Sequence, residues 1–143
     1  MTLKQRLTED NRSVKPHPHI LVVDDDKSNA FVMGLHLDQY NCTYDTASNA
    51  EQALSMLGKN TYDILLLDVR LPDMDGFELV KIIREQEQAG DGCRKKIIAV
   101  TALAYLEDRN RCLEAGMDDY ISKPFTDNVL RAKLGVMGQE ARS

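Results

Sequence analysis

Residues 19–29 read HILVVDDDKSN, and this stretch sets a pattern that the rest of the chain repeats. Four consecutive apolar residues, 20–23, are followed at once by Asp24, Asp25 and Asp26. A strand that is apolar at every position is typical of a parallel sheet buried on both faces. Two unit charges about 5 Å apart repel by roughly 3 kcal/mol at an effective dielectric constant near 20. The three acids therefore need a compensating positive charge, unless they form a simple solvated turn.

Segments with strand character alternate with segments of helical character five times along the chain. The other predicted strands cover residues 42–46, 64–67, 97–100 and 120–122. The predicted helices cover residues 27–40, 48–58, 76–89, 105–115 and 126–137. This alternation predicts an α/β fold in which helices cover both faces of a five-stranded parallel sheet.

Two local patterns predict details of the first two helices. In the first helix, the spacing predicts a buried side formed by Ala30, Phe31, Gly34 and Leu37. At the start of the second helix, Ser48 and Glu51 have the spacing of a capping box, in which each side chain accepts a hydrogen bond from a free backbone N–H. Thr126 is the expected N-cap of the last helix.

Composition narrows the class of protein. The chain has 143 residues, of which 43% are hydrophobic, and a net charge of −5, so one domain with a proper core is expected and nucleic-acid binding is not. Cys42, Cys93 and Cys112 form no CxxC pair, which argues against a disulfide framework or a zinc site. No apolar run reaches the roughly 20 residues of a membrane helix. We expect a cytoplasmic protein without direct membrane contact.

The expected domain spans residues 19–137. Residues 1–18 are polar and read as a flexible N-terminal segment or linker. His17 and His19, on either side of Pro18, have the chemistry of metal ligands, but stray histidines are the preferred interpretation. Residues 138–143 read as a C-terminal tail.

Polar residues follow four of the five predicted strands. Because the carboxyl ends of parallel strands share one edge of a sheet, these residues are expected to meet there. They are Asp24, Asp25 and Asp26 after the first strand, Asp68 in DILLLDVRLPDMDG, Thr101 before Ala102, and Lys123 before Pro124. The sequence thus predicts a rim that carries carboxylates, a hydroxyl and an ammonium group.

Converging carboxylates without Cys or His indicate a hard divalent cation such as Mg²⁺. The alternative is that the acids cap the first helix, and Asp26 is the residue best placed to do only that. Asp68, beside a cation, has the chemistry of a nucleophile that accepts a phosphoryl group as an acyl phosphate. Lys123 would contribute positive charge, and Thr101 a hydrogen bond, to the phosphoryl oxygens.

Residues 19–137 resemble the receiver domain of bacterial two-component response regulators. The motifs that carry the resemblance are VVDDD, LLLDVRLPDMDG, AVTA and SKPF, in this order at the strand ends. The resemblance implies a flavodoxin-like α/β fold with strand order 2-1-3-4-5 and Asp68 as the phosphoacceptor. It also implies a Mg²⁺ site, which Mn²⁺ can fill, made by Asp24, Asp25, Asp68 and the backbone carbonyl of Arg70.

The resemblance has further implications for the site. It implies that Thr101, Ala102 and Lys123 bind the phosphoryl group, and that Thr101 and Tyr120 form a conformational switch that alters the fourth helix, fifth strand and fifth helix. It implies a cis peptide bond before Pro124, which would aim Lys123 inward. The chain departs from the family pattern at Arg70, where a long cationic side chain stands although only its carbonyl is needed.

The function expected from the resemblance is that of a phosphoacceptor in a phosphorelay, not of an enzyme, with a histidine kinase or a histidine phosphotransfer domain as donor. We expect no second domain after residue 137, and therefore no DNA-binding output. CLEAGMDDYISKPF resembles the receivers of hybrid sensor histidine kinases, and a stand-alone response regulator is the alternative. The oligomeric state stays open, since receivers of this kind also form homodimers through the fourth and fifth helices.

Two enzyme or ligand-binding alternatives fit the residues less well. An aspartyl-nucleophile phosphatase resembling the haloacid dehalogenase family needs a second acid two residues after the nucleophile, where this chain has Arg70. A flavodoxin-like nucleotide binder needs a loop rich in Gly, Ser or Thr after the first strand, where this chain has three acids.

Overall fold

The computed structural model describes residues 18–90, 94–102 and 106–136. The predictions for residues 1–17 and for the C-terminal tail lie outside these ranges. The prediction of His19 as a stray histidine was wrong, since His19 is the first residue of the first strand and its ring stacks on Tyr62. Within them, none of the helices combines the length and the apolar character that crossing a bilayer requires.

Five strands alternate with five helices along the chain. The strands are β1 (His19–Val23), β2 (Thr43–Ala47), β3 (Ile64–Leu67), β4 (Lys96–Thr101) and β5 (Asp119–Ser122). The helices are α1 (Lys27–Gln39), α2 (Ala50–Lys59), α3 (Gly76–Ala89), α4 (Leu106–Ala115) and α5 (Asp127–Leu134).

All strands pair in parallel in the order β2-β1-β3-β4-β5, which confirms the predicted sheet. The register aligns Val23 with Leu67 and Thr101 with Ser122. The residues that follow these aligned positions therefore lie side by side along one edge of the sheet.

The core consists of two apolar layers, one on each face of the sheet. Leu21 and Val23 of β1 face the layer that contains residues of α2, α3 and α4, whereas Ile20 and Val22 face the layer of α1 and α5. Because neighbouring residues of a strand point to opposite faces, both faces of β1 must be apolar. This accounts for the continuously apolar run before Asp24.

The prediction for the buried side of α1 was wrong for Phe31. Gly34 and Leu37 are buried, together with Met33, but the Phe31 side chain is 68% exposed. Apolar residues occur on several sides of this helix, so their spacing does not identify the side that faces the sheet. Phe31, Val32 and Leu35 are left as exposed apolar residues on α1.

The capping box of α2 lies one residue later than predicted. Asn49, not Ser48, is the N-cap and accepts a hydrogen bond from the Gln52 N–H at 2.7 Å. The Gln52 side chain in turn accepts from the Ser48 N–H at 2.6 Å. At the other end of the chain Thr126 caps α5 as predicted, but α5 ends at Leu134 because Gly135 takes a left-handed conformation with φ of 72°.

A partly buried ion-pair network joins α3 to the strands β4 and β5. Arg84 lies 2.8 Å from both Glu87 and Asp118, and Lys95 lies 3.2 Å from Glu87. Burial acts to raise the pKa of Glu87, but the Lys95 N–H and the Arg84 guanidinium outweigh it and hold this pKa below its ordinary value. Burial also acts to raise the pKa of Asp118. The hydrogen bond from the Ile97 N–H and the charges of Arg94 and Arg84 outweigh burial, so this pKa is lowered as well.

These lowered pKa values predict a loss of stability in acid. Because the folded state binds protons more weakly than the unfolded state, the contribution is complete above the unfolded pKa of about 4 and is lost as the pH falls through the folded pKa. We expect the free energy of unfolding to fall by about 1–2 kcal/mol more between about pH 6 and pH 3 in the wild type than in the double variant Glu87→Gln, Asp118→Asn. Urea unfolding at several pH values measures this difference, and an equal pH dependence in both proteins would contradict it.

Candidate functional site

Three carboxylates meet at the carboxyl edge of the sheet. Asp24 follows β1 and Asp68 follows β3, and Val23 and Leu67, which precede them, are aligned partners. Asp24, Asp25 and Asp68 each offer a carboxylate oxygen within 4.8 Å of the others. Asp24 is only 8% exposed, whereas Asp25 lies at the surface. The predicted cluster of acids is thus brought together by the pairing of β1 with β3.

Backbone N–H groups orient two of these carboxylates. The Asp26 N–H donates to Oδ1 of Asp24 at 2.9 Å, and the Arg70 N–H donates to Oδ1 of Asp68 at 2.9 Å. The second oxygen of each carboxylate faces Lys123, whose Nζ lies 3.5 Å from Oδ2 of Asp24 and 3.7 Å from Oδ2 of Asp68. Lys123 therefore bridges the acids that follow two different strands.

The backbone around Lys123 positions its side chain. Its N–H donates to the carbonyl of Thr101 at 2.8 Å, and the Lys123–Pro124 peptide bond is cis. Thr101 ends β4 and is 2% exposed, and Ala102 beside it is exposed. The ends of β4 and β5 thus lie on the same rim as the acids.

Asp26 has a different role from its two neighbours. It is the N-cap of α1, and its Oδ1 accepts from the N–H groups of Ser28 at 2.8 Å and Asn29 at 3.1 Å. The capping alternative therefore describes Asp26, while Asp24 and Asp25 join the cluster with Asp68.

The charge balance of the cluster suits a divalent cation. Burial raises the pKa of Asp24 above its ordinary value, and the negative charge of Asp68 acts in the same direction, against the Asp26 N–H and Lys123. Three carboxylates and one ammonium group leave an excess of two negative charges. Because oxygen donors and two compensating charges are what Mg²⁺ requires, the residues present fit this ion.

The loop after β3 folds back on itself close to Asp68. The Gly76 N–H donates to the carbonyl of Val69 at 3.0 Å, and Arg70 and Asp75 form an isolated bridge. A Cβ atom at Gly76 would lie 2.6 Å from the Val69 Cα, so only glycine permits this approach. The Arg70 side chain is exposed, while its N–H points at Asp68.

Tyr120 lies one position after the start of β5 and is partly buried against the core layer of α2, α3 and α4. Two cations lie close to its ring: the Arg109 guanidinium carbon is 5.5 Å from the ring centroid and the Lys133 Nζ is 5.9 Å from it. Lys133 also pairs with Asp119 at 2.8 Å. The ring is therefore contacted from both α4 and α5.

A groove of about 280 Å³ opens beside the acids, which the sequence did not reveal. Asp24, Asp68 and Lys123 contribute to its lining, together with apolar strand residues and with residues of α1 and of the segment after β5, which include Val32, Met33, Pro124 and Phe125. The exposed apolar residues of α1 adjoin this groove along the same helix. The apolar character of 31–33 was visible in the sequence, but not the side of the helix on which each residue lies.

Comparison with known proteins identifies the family. The family model named response regulator receiver domain matches residues 20–135. The sensor histidine kinase RcsC of Salmonella typhimurium is 40% identical over 123 residues, which cover 86% of this chain and 12% of that protein. Hybrid signal transduction histidine kinase L of Dictyostelium discoideum is 40% identical over 108 residues, 73% of this chain and 6% of that protein. The chain thus spans only a small part of these relatives.

Solved structures agree with this assignment. The receiver domain of a Pseudomonas aeruginosa sensor histidine kinase, which has a magnesium ion coordinated in its active-site cleft, is 37% identical, with a TM-score of 0.73 and coverage of 82% of this chain and 94% of that one. The receiver domain of Saccharomyces cerevisiae Ssk1, solved with the histidine phosphotransfer protein Ypd1, is 26% identical, with a TM-score of 0.78 and coverage of 85% and 88%. With the family model matching most of its length, the chain belongs to the response regulator receiver domain family of two-component systems.

Proposed function

We propose that Asp68 accepts a phosphoryl group from a phosphohistidine in a Mg²⁺-dependent reaction. The observation that carries this proposal is the bridge that Lys123 makes between Asp24 and Asp68 beside Asp25. A nucleophilic carboxylate, a fixed cation and a pair of further carboxylates within a few ångströms are the parts that phosphoryl transfer needs. The decisive test is whether the chain gains one phosphoryl group from acetyl phosphate only when both Mg²⁺ and Asp68 are present.

In the proposed reaction, an oxygen of Asp68 forms a bond to phosphorus while the bond between phosphorus and the donor imidazole nitrogen breaks. That nitrogen keeps the electron pair, and the imidazole takes up a proton. Lys123 lies close enough to Asp68 to neutralise negative charge on the phosphoryl oxygens. The Arg70 N–H fixes the orientation of the Asp68 carboxylate before the reaction.

Asp24, Asp25, Asp68 and the Arg70 carbonyl are the proposed ligands of Mg²⁺, and Mn²⁺ is a proposed substitute because it also takes oxygen ligands. When bound, the ion would supply positive charge to the phosphoryl oxygens. Thr101 and Ala102 are proposed to complete the phosphoryl site with Lys123. We propose no turnover of a separate substrate; the chain accepts the group and slowly loses it to water.

Thr101 and Tyr120 are the proposed switch pair. The two cation contacts of Tyr120 support a mobile role, since an inward turn of the ring would release Arg109 of α4 and Lys133 of α5 together. Each such contact at an exposed site is worth about 0.5–1 kcal/mol, which is small enough for a phosphoryl group to overcome. Phosphorylation at one edge of the sheet would thereby alter the surface formed by α4, β5 and α5.

The proposed parent is a hybrid sensor histidine kinase, and the curated relatives support this reading over a stand-alone regulator. The proposed partner is a histidine kinase or a histidine phosphotransfer domain, and the proposed location is the cytoplasm. The complex of the phosphotransfer protein Ypd1 with the receiver domain of Ssk1 supports such a partner. A homodimer through α4 and α5 is a second proposed contact, and no nucleic-acid partner is proposed because the net charge is −5.

The exposed apolar side of α1 supports docking of this partner next to the groove at Asp68. Phe31 is 68% exposed, and Val32 and Leu35 are about half exposed. Replacing Phe31 by Ser should weaken binding of a phosphotransfer domain by about tenfold, which corresponds to the loss of one apolar anchor. It should leave phosphorylation by acetyl phosphate unchanged, because Phe31 does not line the groove.

Val129→Ser on α5 is the matched control, since Val129 is also an exposed apolar residue, at 41%. Calorimetric titration with a panel of phosphotransfer domains measures both variants. Equal affinities for the wild type and for Phe31→Ser would remove α1 from the docking surface.

A further inference from the structure

Asp73 connects a loop at the carboxyl edge of the sheet with the start of α2. It lies in the segment between Asp68 and α3, which we call the acceptor loop (residues 69–75). Its Oδ1 accepts a hydrogen bond from the Ala50 N–H at 2.9 Å, and its Oδ2 accepts from the Glu51 N–H at 3.0 Å. These two hydrogen bonds hold the pKa of Asp73 below its ordinary value.

The N–H groups concerned belong to the first turn of α2, which a helix cannot satisfy internally. The side chain of the N-cap, Asn49, accepts from the Gln52 N–H and leaves the N–H groups of Ala50 and Glu51 to Asp73. Asp73 therefore completes the cap of α2 from a loop more than 20 residues away in the sequence. Its negative charge is also favoured at the positive end of the helix.

The same loop carries two groups of the proposed phosphoacceptor site. The Arg70 N–H orients Asp68, and the Arg70 carbonyl is a proposed ligand of the cation. The loop closes on itself through the bridge between Arg70 and Asp75. A shift of the loop at Asp73 would thus be transmitted to Arg70, three residues earlier.

On the other side, Asp73 holds the segment that supports Asp24. The Asp24 N–H donates to the carbonyl of Ala47 at 3.0 Å, and Ala47 lies three residues before Ala50. Asp73 therefore links the loop that contains Arg70 with the connection that holds the backbone of Asp24. The segments that carry Asp24 and Asp68 are therefore connected through Asp73 as well as through the pairing of β1 with β3.

We propose that Asp73 is a positioning residue of the phosphoacceptor site: by clamping the acceptor loop to the start of α2, it holds Arg70 in register with Asp68 and Asp24. This inference rests on the proposed function for its consequence in Mg²⁺ binding. The clamp itself is a property of the loop and has a separate readout.

The test compares Asp73→Ala with Asn49→Ala. Both variants remove a cap from α2, but only Asp73 also belongs to the acceptor loop. In Asp73→Ala, we expect the Arg70 amide to exchange with solvent about tenfold faster and the affinity for Mg²⁺ to fall about tenfold, as for other groups that orient metal ligands. In Asn49→Ala, both quantities should stay within about twofold of the wild type, although α2 is destabilised.

Amide exchange and a Mg²⁺ titration, both followed by NMR on residues 24–26 and 68–70, supply the measurements. Equal effects of the two variants, or no change at Arg70 in Asp73→Ala, would overturn the proposal, since Asp73 would then only cap α2. If the wild type bound no Mg²⁺, the proposed function would fail, whereas exchange at Arg70 would still decide the role of Asp73. Asp73→Asn, which keeps one acceptor oxygen, should give an intermediate effect and replaces Asp73→Ala if that variant does not fold.

Discussion

Replacing Asp68 by Asn is expected to abolish phosphorylation of the chain by acetyl phosphate. The amide of Asn has almost the shape of the carboxylate, so the fold should be retained, but it is a poor nucleophile and cannot form an acyl phosphate. Intact-mass measurement should show one phosphoryl group on the wild type with Mg²⁺, and none on the wild type with EDTA or on Asp68→Asn.

Asp26→Asn is the matched control for this change. Asp26 lies on the same rim, but it caps α1, and Asn is as good an N-cap as Asp. This variant should be phosphorylated like the wild type. A phosphoryl group that persists on Asp68→Asn would identify another acceptor. If no protein gains a group, phosphotransfer from a histidine-containing protein should be measured next, and failure there too would contradict the proposed function.

Replacing Lys123 by Gln is expected to slow phosphorylation by about 10²–10³-fold, the usual effect of removing one preorganised group that stabilises transition-state charge. The Lys123 Nζ lies 3.7 Å from Oδ2 of Asp68. Among the described residues, Lys123 is the cation that forms an ion pair with Asp68 and Asp24. The affinity for Mg²⁺ should not weaken, because Asp24 and Asp68 lose a competing positive charge.

A fall in rate without a loss of Mg²⁺ affinity separates a role in phosphoryl transfer from a general disturbance of the site. Lys81→Gln, which changes an exposed lysine of α3, controls for the loss of one positive charge. The assignment of Lys123 would be wrong if its variant accepted the phosphoryl group at the rate of Lys81→Gln. A parallel loss of rate and of Mg²⁺ affinity would instead indicate that Lys123 acts by maintaining the structure of the acid cluster.

Most of the candidate site could be predicted because it depends on short-range signals. Asp24 and Asp68 each follow an apolar strand, and parallel strands bring their carboxyl ends to one edge whatever the helices between them do. Thr101 ends β4 and Lys123 follows β5, so both lie at the same edge. The match between sequence and structure at these residues is therefore a consequence of topology.

The incorrect predictions concern the buried side of α1 and the N-cap of α2. Phe31 was expected in the core because α1 has apolar residues on several sides. Only packing against the sheet decides that Met33 is buried in its place, beside Leu37, whose burial was predicted correctly. The cap of α2 was placed at Ser48 because Ser48 and Asn49 are both good caps and nearly equivalent in sequence. These competing choices differ by little in local energy, so tertiary contacts decide between them.

The α/β class of the fold and the set of residues at the strand ends could be predicted, because strand periodicity and chain order are local properties. Three features depend on how the elements pack: Lys123 bridges Asp24 and Asp68, Phe31 is exposed to solvent, and Asp73 reaches the start of α2. These contacts join residues that are distant in sequence, so they contribute to stability only once the sheet and helices have brought those residues together.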